Sequence, residues 1–303
     1  MKYLKLVRWQ NLLMLAATQL IIKYYLFEPF NIAITLNDFG FALLVISTLF
    51  LAAGGNVIND IFDREIDIVN QPKKQLIGKN ISEKTGYNLF LVFNIIGVGI
   101  GFYLSNLIQR PEFAAIFIGI SALLYLYSSY IKSYAVVGNL LISILVAMSI
   151  IIVGIFDLMP AITTYNQQSQ LTIFSILLDY AIFAFLINFI REIVKDQQDI
   201  NGDYKAGLTT LPILLGQERV NKVVFVLLLL PLAASIYYIY NYLYTQTLAV
   251  IYVLVLIVAP LLYGMVKIWT ANTAKDYSLI SSILKLILVF GILSLALYQF
   301  ILS

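Results

Sequence analysis

Asn56, Asp60, Asp63 and Asp67 follow a long apolar run, where acids are not expected. At about 100° per residue these four side chains fall within an arc of roughly 60°, so one helical face carries an amide and three carboxylates. The offsets return at Glu192, Asp196, Asp199 and Asp203. Carboxylates this close repel one another and hold protons unless cations separate them. The chain has no Cys and no His. That excludes disulfides, thiolate nucleophiles and the usual zinc and haem ligands, and it removes the commonest general base. What remains is a hard cation held by oxygen. Mg²⁺ suits such a set, because it uses few carboxylates and bridges substrate phosphates. The implied chemistry is a grip on an anionic diphosphate through Mg²⁺. For either stretch alone, the plainer reading is a solvated helix end balanced by Arg64 or Lys195.

These faces must be positioned by membrane helices. Of 303 residues 61% are hydrophobic and 12% charged, against about 45–50% apolar and 25% charged in soluble domains. The expected fold is all-α: a multi-pass bundle of about nine transmembrane helices, with residues 1–303 forming one transmembrane domain. A span needs about 20 largely apolar residues. The segments are 11–27, 39–58, 87–108, 113–130, 137–157, 172–191, 221–243, 247–267 and 278–301. Lys23 and Lys285 fall inside the first and last, where each could snorkel or face the bundle. The stretch 1–10 is short and basic with no cleavage pattern after it, so the first helix is expected to stay as an anchor.

Basic residues in the loops set orientation. With the N-terminus in the cytoplasm, 16 of the 19 Lys and Arg fall on that side, and only Arg110 lies in an outer loop. The two acidic stretches end the second and sixth spans. An even number of crossings separates them, so both face the cytoplasm and can meet over one cavity. The loops that follow, 68–86 and 204–220, are long enough to cover it. Gly202 and Gly207 are expected to let the second of these turn.

The motif Asn59-Asp60-x-x-Asp63-x-x-x-Asp67 resembles the first aspartate motif of the UbiA-type intramembrane prenyltransferases, and Asp199-x-x-x-Asp203, preceded by Asp196, resembles their second. The resemblance covers essentially the whole chain. It implies that Asp60, Asp63, Asp67, Asp196, Asp199 and Asp203 bind Mg²⁺ and a prenyl diphosphate, with Asn56 as a further polar contact. Tyr127-Ser128-x-x-x-Lys132, then Gly138-Asn139, looks like a third block of the family, in which Lys132 would meet the diphosphate. On this reading Asp60, Asp63, Asp199 and Lys132 carry the catalysis, while Arg64, Lys73, Lys74, Tyr127 and Lys195 contact substrate. The family commonly has an Arg-Pro pair after the first motif; here the loop reads Asn70-Gln71-Pro72-Lys73-Lys74. Lysine supplies charge there without a bidentate fork.

The string from Arg191 through Gly202-Asp203, Gly207 and Thr210-Leu211-Pro212 looks most like the geranylgeranylglycerol-phosphate geranylgeranyltransferase branch. The implied reaction moves a geranylgeranyl group from its diphosphate to a membrane acceptor in ether-lipid biosynthesis. An aromatic, quinone-forming prenyltransferase would share the donor half. A secondary transporter is a third class, but it would place ion-binding groups near the membrane midplane on broken helices, whereas these acids sit at helix ends. The expected partners are a prenyl diphosphate, a lipid or aromatic acceptor and membrane lipids, with no nucleic acid. Tyr125, Tyr127, Tyr130 and Tyr134 crowd the end of the fourth span near Lys132; they read as an interfacial belt, from which one or two rings could shield an allylic cation.

Overall fold

A computed structural model describes residues 1–70 and 75–298. Apolar runs without water must satisfy their own backbone, and helices do so within one segment. The described residues are accordingly helical, with two isolated bridges and no strand. Among the described residues eight rods are long and apolar enough to cross a membrane: α2 (Asp38–Phe62), α4 (Glu83–Leu107), α5 (Pro111–Ser129), α6 (Val137–Ala161), α7 (Gln167–Lys205), α8 (Gln217–Leu243), α9 (Thr247–Thr270) and α10 (Ala274–Leu297). The first expected span is present as α1 (Trp9–Ile21), which runs on through a wide turn at Ile22–Phe27. It stands outside the eight because Gln10, Asn11, Gln19 and Lys23 interrupt its apolar character.

Helix ends are fixed by side-chain caps. Asn37 accepts from the Gly40 amide at the start of α2, Ser82 accepts from the Thr85 amide at α4, and Thr273 and Asp276 form a reciprocal box at α10. Lipid tails are as apolar as leucine, so close packing rather than water exclusion holds such helices together. Gly101 on α4 shows how close: an added Cβ would stand 2.3 Å from the Phe117 ring of α5.

The packed interior has two large clusters. One joins Leu26, Phe27, Phe41, Phe117, Phe156 and Leu177. The other joins Ile187, Val224 and Leu261 to Tyr277, Ile280, Leu284 and Ile287 of α10. A third, smaller cluster of Leu6, Val57, Ile58, Ile61, Ile77 and Ile81 lies under the first acidic stretch and fastens the N-terminal residues to the 75–81 turn.

As the helical spacing of the second acidic row and a loop beginning near 204 require, α7 runs on past its apolar span to Lys205. Hydropathy detects the part that lipid requires; the polar turns beyond it keep their backbone bonds and remain helical. One difference from the sequence reading bears on the site: α2 ends at Phe62, Asp63 caps it with ψ near 0°, and α3 (Arg64–Asn70) restarts at once. The first acidic face is therefore bent at Asp63, while the Asp63 and Asp67 amides still bond back to the carbonyls of Asn59 and Asp63, at 2.8 Å each.

Candidate active site

The end of α2, the short α3, the α5–α6 turn and the last turns of α7 meet at one end of the bundle. Lys132, in the tight turn Ile131–Ser133, pairs with Asp63. Asn59 donates to the other Asp63 oxygen at 2.6 Å. Across the gap, Asn139 in the first turn of α6 donates to Asp196 at 2.8 Å. The Lys132 turn is itself tied to the chain beyond the second acidic row, because Thr209 donates its amide (3.1 Å) and its hydroxyl (2.6 Å) to the Ser133 carbonyl.

The side-chain amide of Asn70 joins the two rows. Asn70, at the end of α3, donates to the Asp199 carbonyl at 2.9 Å and accepts from the Gly202 amide at 2.8 Å. Gly202 is helical rather than a turn, correcting the sequence reading. Its role is to admit Asn70: an added Cβ would lie 2.3 Å from that amide nitrogen. Gly207, with φ +72°, does turn the chain.

Asp67 lies outside the spans and is half-buried. Burial first, then the charges of Asp63 and Asp60, push its carboxyl up to about 6, and Asp199 across the gap adds to this. The two rows thus sense each other electrostatically. Asp203, on the last turns of α7, is buried. Among the described residues no three acidic side chains close on one point at ligand distance. The donor set is nonetheless all oxygen, and Mg²⁺ takes only one or two carboxylates, completing its shell with water and phosphate. The residues fit that ion.

Beneath the acid rows lies a cavity of about 610 Å³, within the usual range for small-molecule sites. Arg8, Asn56, Asn59, Tyr127 and Lys195 line its polar mouth, and Asn188 with Leu51, Leu124, Leu145, Val146 and Ile292 its depth. Asn56 donates to the Val7 carbonyl at 3.0 Å. Lys195 sits 3.0 Å from Glu192. Tyr127 turns into the cavity wall, while Tyr125, Tyr130 and Tyr134 are exposed, as belt residues are.

Arg64 departs from the expected substrate contacts. Its guanidinium pairs with Glu65 at 2.8 Å and Glu83 at 2.9 Å, and it does not line the cavity. Two acids, one adjacent to it in sequence and one at the α4 start, outcompete the site. Lys73 and Lys74 lie outside the described residues. Arg8 reads in the sequence only as an inner-side basic residue. In the structure it takes a left-handed φ of 53° just before α1, and its guanidinium lies 2.8 Å from Asp60. No local pattern marks that pairing, since 52 residues separate the partners.

Paired aspartate rows above a membrane-embedded apolar cavity define an intramembrane prenyltransferase. The chain matches the UbiA prenyltransferase family over residues 30–289 and belongs to it. It is a multi-pass integral membrane enzyme. Digeranylgeranylglyceryl phosphate synthase of Methanobrevibacter smithii is 30% identical over 246 residues, 79% of this chain and 82% of that protein. A solved structure concerned with digeranylgeranylglyceryl phosphate synthase in membranes superposes with a TM-score of 0.64 at 23% identity, covering 97% of this chain and 98% of that one. A UbiA homologue from Archaeoglobus fulgidus, bound to DMAPP and Mg²⁺, superposes with a TM-score of 0.58 at 18% identity, over 98% and 99% of the two chains. The two structural likenesses establish the shared fold.

Proposed function

We propose that the chain, acting as one catalytic unit, transfers a geranylgeranyl group from its diphosphate to geranylgeranylglyceryl phosphate, with Mg²⁺ required. The observation that carries this reading is the meeting of the two acid rows at one end of the bundle, over an apolar cavity, with Lys132 on Asp63 and Asn139 on Asp196. The name of the Methanobrevibacter smithii relative supports the acceptor, and the Mg²⁺ in the Archaeoglobus fulgidus homologue supports the metal.

Asp60, Asp63 and Asp67 on one row, and Asp196, Asp199 and Asp203 on the other, would hold the ion. Bound there, Mg²⁺ would supply positive charge that offsets the charge developing on the leaving group. Lys132 and Arg8, now held by Asp63 and Asp60, place two further positive charges at the same layer. Cations already aimed at the developing negative charge need not reorganise during reaction. The prenyl chain lies along the apolar wall formed by residues such as Leu51, Leu145 and Val146. The carbon–oxygen bond to diphosphate breaks, with both electrons leaving on the diphosphate. Tyr127 presents a ring face to the allylic cation, and the apolar wall keeps water away. A glycerol hydroxyl oxygen then bonds to the prenyl carbon, and its proton is lost to the departing diphosphate or to solvent. With His absent, no side chain is assigned as general base. The acid rows and Lys132 lie on the cytoplasmic side in this reading, following the distribution of Lys and Arg.

The test is turnover of labelled geranylgeranyl diphosphate with a panel of acceptors, read by mass spectrometry, with and without EDTA. Loss of product on chelation, its return with Mg²⁺, and an inactive Asp60→Ala variant are expected. Full activity in EDTA sinks the metal, and transfer to an aromatic acceptor alone sinks the choice of lipid.

A further inference from the structure

The cavity carries more positive charge than a donor site alone requires. Among the described residues its charged lining is Arg8, Arg191, Lys195 and Lys285 against one carboxylate, Glu192. Arg8 is committed to Asp60. Glu192 is divided between Arg191 and Lys195, 3.0 Å from each. Lys285, half-buried on α10, has no acidic partner among the described residues; its ammonium donates to the amide oxygen of Asn11 at 2.9 Å. The Arg191 Nε is buried and donates to nothing among the described residues. A cation without a counter-charge at membrane depth is costly, and such groups mark the path of a ligand.

The height of this group separates it from the donor layer. Arg191 precedes Asp196 by five residues on the unbroken α7, about 7.5 Å along the axis at 1.5 Å per residue. Asn11 lies one turn into α1 from Arg8. Lys285 and Arg191 therefore sit one to two turns deeper than the acids. A diphosphate gripped at the acid layer leaves them facing a second anion. A guanidinium edge beside an ammonium suits the oxygens of a phosphate monoester.

We infer that Lys285 and Arg191, oriented by Asn11 and Glu192, form a phosphate subsite for the acceptor, distinct from the layer that grips the donor. This rests on the reading of the acceptor as a phosphorylated prenylglycerol. The phosphate and the attacking hydroxyl share one glycerol unit, so anchoring the phosphate at this depth also directs the hydroxyl toward the donor's first carbon. The subsite selects phosphorylated acceptors over neutral ones.

The experiment uses the full chain in detergent, with geranylgeranyl diphosphate as donor and either geranylgeranylglyceryl phosphate or its dephosphorylated alcohol as acceptor. Loss of a charge-assisted hydrogen bond predicts that Lys285→Gln raises KM for the phosphorylated acceptor about 10- to 100-fold. Donor KM stays within about twofold on the same argument, since the donor does not use that bond. The preference for the phosphorylated acceptor collapses in Lys285→Gln and returns in Lys285→Arg. Asn11→Ala, which removes only the orienting amide, gives a smaller rise in the same constant. An unchanged unfolding temperature and unchanged donor KM separate these effects from misfolding. Unaltered acceptor preference in Lys285→Gln, or an equal rise in donor KM, overturns the subsite. A wild-type enzyme that ignores the phosphorylated acceptor overturns the acceptor reading instead, and is recognised before any variant is made.

Discussion

Asp60 and Asp63 rest against cations, Arg8 and Lys132, whereas Asp196 rests against a neutral amide, Asn139. The first row is interrupted at Asp63 and the second lies on one unbroken helix. In the sequence the two rows have the same offsets. The difference shows that equal spacing does not give equal electrostatics. The first row has its countercharge built in, and substrate must share those cations. At Asp196 the second row offers a hydrogen bond and, among the described residues, no ion pair, so that carboxylate keeps the larger remaining affinity for a divalent ion.

Three measurements can break or sharpen that contrast. Replacing the built-in cation should cost most: Lys132→Met is expected to lower turnover about 10²- to 10³-fold, as loss of a preorganised electrostatic contact does. The deficit should persist at saturating Mg²⁺. On the amide side, Asn139→Ala removes an outer partner of Asp196. Such partners are worth about 10- to 100-fold in metal affinity, so the Mg²⁺ concentration for half-maximal activity should rise while the rate at saturation largely recovers. If both variants respond to Mg²⁺ alike, the two rows are equivalent and the contrast is void.

The smallest effect concerns Asp67. Its carboxyl titrates at about 6 in the folded chain against 3.8 for a free group. Between those values the folded state binds the extra proton, so metal-free protein should become more stable as pH falls through that window. A rise of about 1–3 °C in unfolding temperature from pH 7 to pH 5 is expected. Asp67→Asn should reduce the rise by its own share, the other buried carboxylates supplying the rest.

How much is legible in the sequence follows from range. The acid rows, the helical fold and the placement of Lys132 near them rest on periodicity, hydropathy and a motif, all local signals. The Arg8–Asp60 pair and the Asn70 clasp join residues 52 and about 130 positions apart, and no local pattern encodes them. Arg64 has the right charge at the right place in sequence, yet Glu65 and Glu83 take it. Charge counting cannot say which of several acids a cation will choose. Lys285 is visible as an anomaly inside a span, but its meaning needs Asn11 and Arg191 beside it. The bend at Asp63 is hidden because an i, i+3, i+4 pattern reads the same across a capped restart.

The 39 residues of α7 make one rod of roughly 58 Å at 1.5 Å per residue, about twice the hydrocarbon thickness of a bilayer. An uninterrupted helix transmits phase. Deleting one residue between Arg191 and Asp196 would swing every later side chain by about 100° relative to every earlier one. Asp196 and the acids after it would then lose their register with Arg191 and Glu192, although no functional side chain had been altered. Conservative apolar substitutions at Ile193 and Val194 should be forgiven where insertions and deletions in the same interval are not.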